Sequence, residues 1–213
     1  KIFDELEVKN LHFRYPGQNL LLKNINFKIK KKSLNCIIGK NGSGKSTLIN
    51  IILGLLKPQS GEIFYNKISL NKIVPNVSYV PQNISLIDDS IKNNIIFGDI
   101  KKFDKKDFVK AINLTCLFEF IKKLPKKENT IIGENGARIS GGQAQKIGLA
   151  RSIYSNSDLI IIDEFDNNLD NKSTEKIIKS LSRIKREKTI IIITHNPKFR
   201  KYFDSIYKIN KNK

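Results

Sequence analysis

An α/β fold with a parallel sheet covered on both faces is predicted by three observations. A glycine-rich loop joins a strand-like run to a helix-like one, two later runs are unbroken aliphatic, and the opening segment alternates instead. Leu34-Asn35-Cys36-Ile37-Ile38 is short, apolar and β-branched, and Thr47 to Leu53 continues with helical spacing. Leu159-Ile160-Ile161-Ile162 and Thr189-Ile190-Ile191-Ile192-Ile193-Thr194 are too apolar for half-exposed strands. Such runs separated by a helix belong to parallel strands with helices on both faces. Leu6 to Ile29 alternates apolar and polar residues around a turn at Tyr15-Pro16-Gly17, which predicts an N-terminal antiparallel β-subdomain. Further strands are expected at Gly61 to Tyr65 and at Val77 to Val80, the latter ending in Pro81-Gln82. From about Asp88 to Leu124 the periodicity turns helical, with Asp104 or Asp107 as the cap ahead of Phe108, Ile112 and Phe118. An inserted α-helical subdomain is therefore expected over about 88–144, and the core with its β-subdomain over about 1–87 and 145–213. Neither repeats nor linkers are visible, and Lys208 to Lys213 has the composition of a frayed tail.

The 213 residues are 39% hydrophobic, enough for a real core in a single folded unit. No run approaches the ~20 apolar residues that cross a bilayer, and the N-terminus has neither an h-region nor a cleavage site. The net charge of +19 comes mostly from lysines spread among asparagine and isoleucine. The clusters Lys30-Lys31-Lys32, Lys101-Lys102 and Lys122-Lys123 have no interleaved aromatics, so they read as solvated faces and no nucleic-acid partner is expected. Cys36 and Cys116 lie in apolar stretches without metal-like spacing and are expected to be buried free thiols. A chain with no methionine that opens on Lys1 is expected to be a piece of a longer polypeptide.

Residues 39–46, Gly39-Lys40-Asn41-Gly42-Ser43-Gly44-Lys45-Ser46, fit G-x-x-x-x-G-K-[ST]. In that pattern glycines let backbone N–H groups curl around phosphates, the lysine touches them and the hydroxyl ligates Mg²⁺. Strand, loop and helix come in the required order, and the helix N-terminus adds its positive end to the anion site. Asp163-Glu164 places two carboxylates at the carboxyl end of a parallel strand, where α/β sheets put ligands. On this reading Asp163 holds Mg²⁺ and Glu164 polarises the water that attacks the γ-phosphorus. His195 follows the second aliphatic strand at the same edge and can reach a γ-phosphate oxygen, while Gln82 ends its own strand and can bond Mg²⁺ or that water. Tyr15 offers a ring for adenine. Ser140-Gly141-Gly142-Gln143 is a second small-residue loop at a helix start, remote in sequence from the first. One ATP cannot need both loops from one subunit, which suggests a head-to-tail dimer.

With these motifs in this order, the chain resembles the nucleotide-binding domain of ABC transporters over essentially its whole length. The resemblance implies a P-loop NTPase core and assigns Tyr15 to the adenine-stacking loop, Gly39 to Thr47 to Walker A, and Gln82 to the Q-loop. It also assigns Ile139 to Gln143 to the signature, Asp163 and Glu164 to Walker B, Asn168-Leu169-Asp170 to the D-loop and His195 to the switch histidine. Ser90 to Gly98 and Gly133-Glu134-Asn135-Gly136 look like segments of exporter-type domains, with the bacterial lipid-linked oligosaccharide flippases the most similar. What this implies is ATP hydrolysis with Mg²⁺, a homodimer around two ATP, a transmembrane domain upstream in the same polypeptide, and a place on the cytoplasmic face of the inner membrane. The alternative is a soluble member of the family acting on nucleic acid or ribosomes. Departures are Ile139 for leucine, Ala144 and Lys146 for arginines, and Phe165-Asp166-Asn167-Asn168 for A-T-S-A, which puts the D-loop's cross-dimer contacts in doubt.

Overall fold

The computed structural model describes residues 3–98, 103–155, 157–194 and 196–210. Chain order begins with β1 (Glu5–Phe13), β2 (Leu22–Lys30), β3 (Leu34–Gly39), α1 (Lys45–Ile52), β4 (Ser60–Tyr65), β5 (Ile68–Ser69) and β6 (Val77–Val80). It continues through α2 (Ile91–Ile96), α3 (Lys105–Leu114), α4 (Phe118–Lys122) and α5 (Gly141–Tyr154). The last elements are β7 (Leu159–Asp163), α6 (Asn171–Ile184), β8 (Thr189–Ile193) and β9 (Ser205–Ile209).

Two sheets result. The first is antiparallel, ordered β2-β1-β4-β5, and realises the β-subdomain expected from the alternating opening. The second is parallel, ordered β6-β7-β8-β3-β9, and its five strands converge at the site edge. The aliphatic runs have a simple explanation in this sheet. Ile160, Ile162, Ile190 and Ile192 join one core cluster, with α5 and α6, while Leu159, Ile161, Ile191 and Ile193 join the other, with α1 and the antiparallel sheet. Alternate side chains of a strand point to opposite faces, so a strand covered on both must be apolar throughout. Each fully buried isoleucine contributes about 1.5–3 kcal/mol of apolar transfer.

Helix starts follow the capping rules. Asp104, not Asp107, caps α3 by accepting the Asp107 N–H at 2.9 Å, and Ser90 caps α2 through the Asn93 N–H at 3.1 Å. Two sequence expectations fail. Lys208 and Ile209 are not frayed: they belong to β9, whose backbone runs parallel to β3 from Asn35↔Ser205 to Gly39↔Ile209. Cys36 is buried, but Cys116 is only half-buried, at a positive φ just past α3. Phe118 opens α4 and is exposed. No helix among the described residues is long and apolar enough to cross a membrane.

Candidate active site

The phosphate loop leaves β3 at Gly39 and returns into α1 at Lys45. Gly44 makes that turn possible: its φ of 93° is left-handed, and a Cβ there would lie 2.7 Å from Leu22 Cδ2. The loop is thus keyed to β2 by a contact that only glycine permits. Lys45 is 5% exposed, and its Nζ donates to the carbonyls of Gly39 and Lys40 at 3.1 and 3.2 Å. Its Nζ also lies 3.6 Å from Glu164 Oε1. The ammonium is therefore fixed inside the loop's concavity. Ser43 is fully buried, and its Oγ has no hydrogen-bond partner among the described residues. Lys40, Asn41 and Gly42 line the outside of the turn.

Asp163 ends β7 at 4% exposure. Its Oδ2 accepts from Ser46 Oγ and from Tyr79 Oη, both at 3.3 Å, and its buried Oδ1 accepts from no described residue. Burial, followed by the adjacent Glu164 charge, pushes the Asp163 carboxyl above its ordinary range, against the pull of Ser46, Tyr79 and Lys45. A buried carboxylate oxygen without a partner, beside a serine hydroxyl, is a hard-oxygen site short of one cation. Mg²⁺ takes such sites through one or two carboxylates together with substrate phosphates, so the residues fit it. No cluster of three or more His, Cys, Asp or Glu side chains suited to a metal occurs among the described residues, which leaves Ser46 and Asp163 as the fitting pair. Gln82 is not at this point. Its Nε2 donates to Glu164 Oε2 at 3.3 Å instead.

Glu164 sits in the left-handed region at φ 45°, ψ 40°, with its N–H donating to the Ile193 carbonyl at 3.0 Å. That bend turns the side chain out of the strand toward Lys45. Tyr15 is half-buried against Phe13, and its hydroxyl lies 3.2 Å from Thr47 Oγ1, which ties the aromatic loop to the start of α1. His195 lies outside the described residues; Thr194, which precedes it, is buried at the end of β8.

The second loop is elsewhere. Ser140 caps α5 in a full capping box: Gln143 N–H donates to Ser140 Oγ at 3.3 Å, and the Ser140 N–H donates to Gln143 Oε1 at 2.9 Å. Asp170 caps α6, accepting from the Ser173 N–H at 2.9 Å and from Ser173 Oγ at 2.6 Å. Ser140 to Gln143 and Asn168 to Asp170 line one open depression of about 490 Å³, which none of residues 39–47 enters. The structure thus joins signature and D-loop to each other but not to the phosphate loop. Glu134–Gly136 forms a short 3₁₀ turn just before this loop.

Sequence reasoning missed Tyr79, Asn167 and Asp166. Tyr79 reaches Asp163 because β6 pairs with β7, Tyr79↔Ile161, and its hydroxyl is pushed up by burial and the Asp163 charge. Only the sheet order could have shown this. Asn167 Nδ2 donates to Glu164 Oε2 at 3.1 Å.

Against known proteins, the profile of the ABC transporter family matches residues 22–167. The chain belongs to that family, as one of its ATPase domains. It is similar to the protein named ATP-dependent lipid A-core flippase of Haemophilus influenzae, at 35% identity over 197 residues, which is 90% of this chain and 34% of that protein. The protein of the same name from Wigglesworthia glossinidia brevipalpis is 36% identical over 215 residues, 98% of this chain and 37% of its own. The chain spans about a third of the length of these relatives. A bacterial Atm1-family ABC exporter, solved with ATP bound, superposes with a TM-score of 0.90 at 23% identity, over 99% of this chain and 38% of that one, so the fold is shared.

Proposed function

We propose that this chain is the ATP-driven motor of an exporter-type transporter. Two copies close head to tail over two ATP, and closure is passed to a transmembrane domain carried upstream in the same polypeptide. One observation carries the reading: Lys45, Ser46, Asp163 and Glu164 meet at one sheet edge, while the capped loop Ser140 to Gln143 faces outward over a separate depression. A half-site facing outward needs a second copy to complete it.

On this reading each residue has a role. Tyr15 stacks on adenine, the backbone of Gly39, Asn41, Gly42, Ser43 and Gly44 surrounds the phosphates, and Thr47 holds the Tyr15 hydroxyl. Lys45 neutralises phosphate charge. Ser46 and Asp163 hold Mg²⁺, with Gln82 able to join them. Bound Mg²⁺ would supply neutralisation of the charge that develops on the phosphate oxygens. Glu164 orients and deprotonates the attacking water, and His195 reports the γ-phosphate. Ser140, Gly141, Gly142 and Gln143 of one copy cover the γ-phosphate of the other, with Asp170 crossing the same seam. One domain with an inserted helical lobe over about 88–144 would act in this way at the cytoplasmic face of the inner membrane. The names of the flippase relatives support a lipid-linked saccharide as cargo.

The test is ATPase rate against protein concentration, for this chain and for Glu164→Gln. A rate rising faster than linearly is expected. The substitution should abolish turnover by about 10²–10⁴-fold, the range of a lost general base, with ATP binding retained. A strictly linear rate would overturn the role given to Ser140 to Gln143.

A further inference from the structure

The run Phe165–Asn168 follows Glu164 as a single 3₁₀ turn, and it is tied down on three sides. Phe165 is fully buried in the core. Asp166 Oδ2 accepts from Thr194 Oγ1 at 2.7 Å, and that hydroxyl in turn accepts the Asn196 N–H at 3.0 Å. Asn167 Nδ2 donates to Glu164 Oε2 at 3.1 Å. The same oxygen has a donor in Gln82 Nε2 at 3.3 Å, while Oε1 faces Lys45 Nζ at 3.6 Å. The two amides differ in how they are held. Asn167 is three residues from Glu164, within the same turn, so local geometry sets its distance. Gln82 stands on the connection from β6 to α2, so no local turn geometry sets its distance.

We infer that Asn167 is a positioning residue for Glu164. Its amide holds Oε2 so that Oε1 stays turned toward Lys45 and the phosphate loop, independently of Gln82. This rests on the reading of Glu164 as the group that acts on the water. A glutamate on a half-exposed turn otherwise has several rotamers to sample. Misplacing a reacting group by about 1 Å can cost on the order of 10²-fold in rate. Asp166 serves the same end one step back, because its bond to Thr194 fastens the turn to β8.

The experiment compares Asn167→Ala, Asn167→Asp and Asn167→Gln with the parent chain and Glu164→Gln. Asn167→Asp keeps the shape but cannot donate. Both Asn167→Ala and Asn167→Asp should lower kcat about 10-fold or more with KM for ATP within twofold, and Asn167→Gln, which keeps an N–H on the turn, should recover part of it. A role in folding alone would instead lower the melting temperature and leave kcat per folded molecule unchanged. Parent-like turnover in Asn167→Ala and Asn167→Asp, with Glu164→Gln inactive, overturns the inference and leaves Glu164's role standing. Normal turnover in Glu164→Gln overturns that role itself. A second readout needs no turnover: the side-chain carboxyl ¹³C resonance of Glu164, assigned by its loss in Glu164→Gln, should move in Asn167→Ala. A resonance that stays put also overturns the inference.

Discussion

At the phosphate loop, charged and polar groups converge from three strands and lock one another in place; at the signature loop they satisfy their own helix and leave a depression open to solvent. Lys45 and Asp163 are 5% and 4% exposed, whereas Ser140, Gly141 and Asp170 are exposed. The first half is preorganised and carries a buried carboxylate oxygen without a donor among the described residues. The second has its helix caps complete within its own chain. On the proposed reading, the difference separates binding from assembly: the first half would hold nucleotide within one chain, and the second would complete the site of another copy.

That division can be broken most sharply at Lys45. Lys45→Ala should weaken ATP binding by about 100-fold, on the order of 3 kcal/mol for a lost charge-assisted contact, in titration calorimetry on the chain alone. A substitution in the other half should do the opposite. A Cβ on Gly142 would lie 2.9 Å from the Asn168 carbonyl oxygen, so Gly142→Ala must shift the D-loop backbone. ATP affinity should stay within twofold while turnover falls about 10-fold and its dependence on concentration flattens, at about 1–2 kcal/mol in stability from overpacking. If Gly142→Ala also lost ATP affinity, the two halves would not be separate.

Smaller effects sharpen the contrast. The Asp163 carboxyl is raised above its ordinary 3.8, first by burial, so the folded chain holds this proton more tightly than the unfolded chain. Its contribution favours folding at acid pH and is lost as pH climbs from 3.8 through the raised value, which leaves a cost at neutral pH. Asp163→Asn should therefore raise the melting temperature by about 2–4 °C, for about 1 kcal/mol, while removing Mg²⁺-dependent turnover. A lower melting temperature would show the carboxylate to be stabilising as it stands. Ser140→Ala removes an exposed cap and should cost only about 0.5 kcal/mol, or about 1–2 °C, by thermal melting.

Much of this was legible from residue order. Strands β3, β7 and β8 announced themselves by unbroken aliphatic runs, and the loop Gly39 to Ser46 by residue types that few other structures need together. Strand β9 did not, because Ser205-Ile206-Tyr207-Lys208-Ile209 is short and ends among lysines and asparagines. What makes it a strand is the free edge of β3, a tertiary fact. The same holds for Tyr79 beside Asp163, which depends on β6 lying next to β7. Phe165-Asp166-Asn167-Asn168 read as a departure that put the D-loop's cross-dimer contacts in doubt. In the structure those residues brace Glu164 and β8, and only the left-handed bend at Glu164 brings Asn167 back onto it.

The pairing of β3 also has a consequence for biosynthesis. Its neighbours are β8 and β9, so residues 34–39 wait on residues 189–193 and 205–209 before either flank is hydrogen-bonded. At ~10 residues per second, the phosphate loop leaves the ribosome on the order of 15 s before the strands that hold it. Long-range parallel pairing of this kind forms late, because loop closure must come first. In a nascent chain, the sheet that flanks the phosphate loop is therefore complete only after Ile209 has emerged.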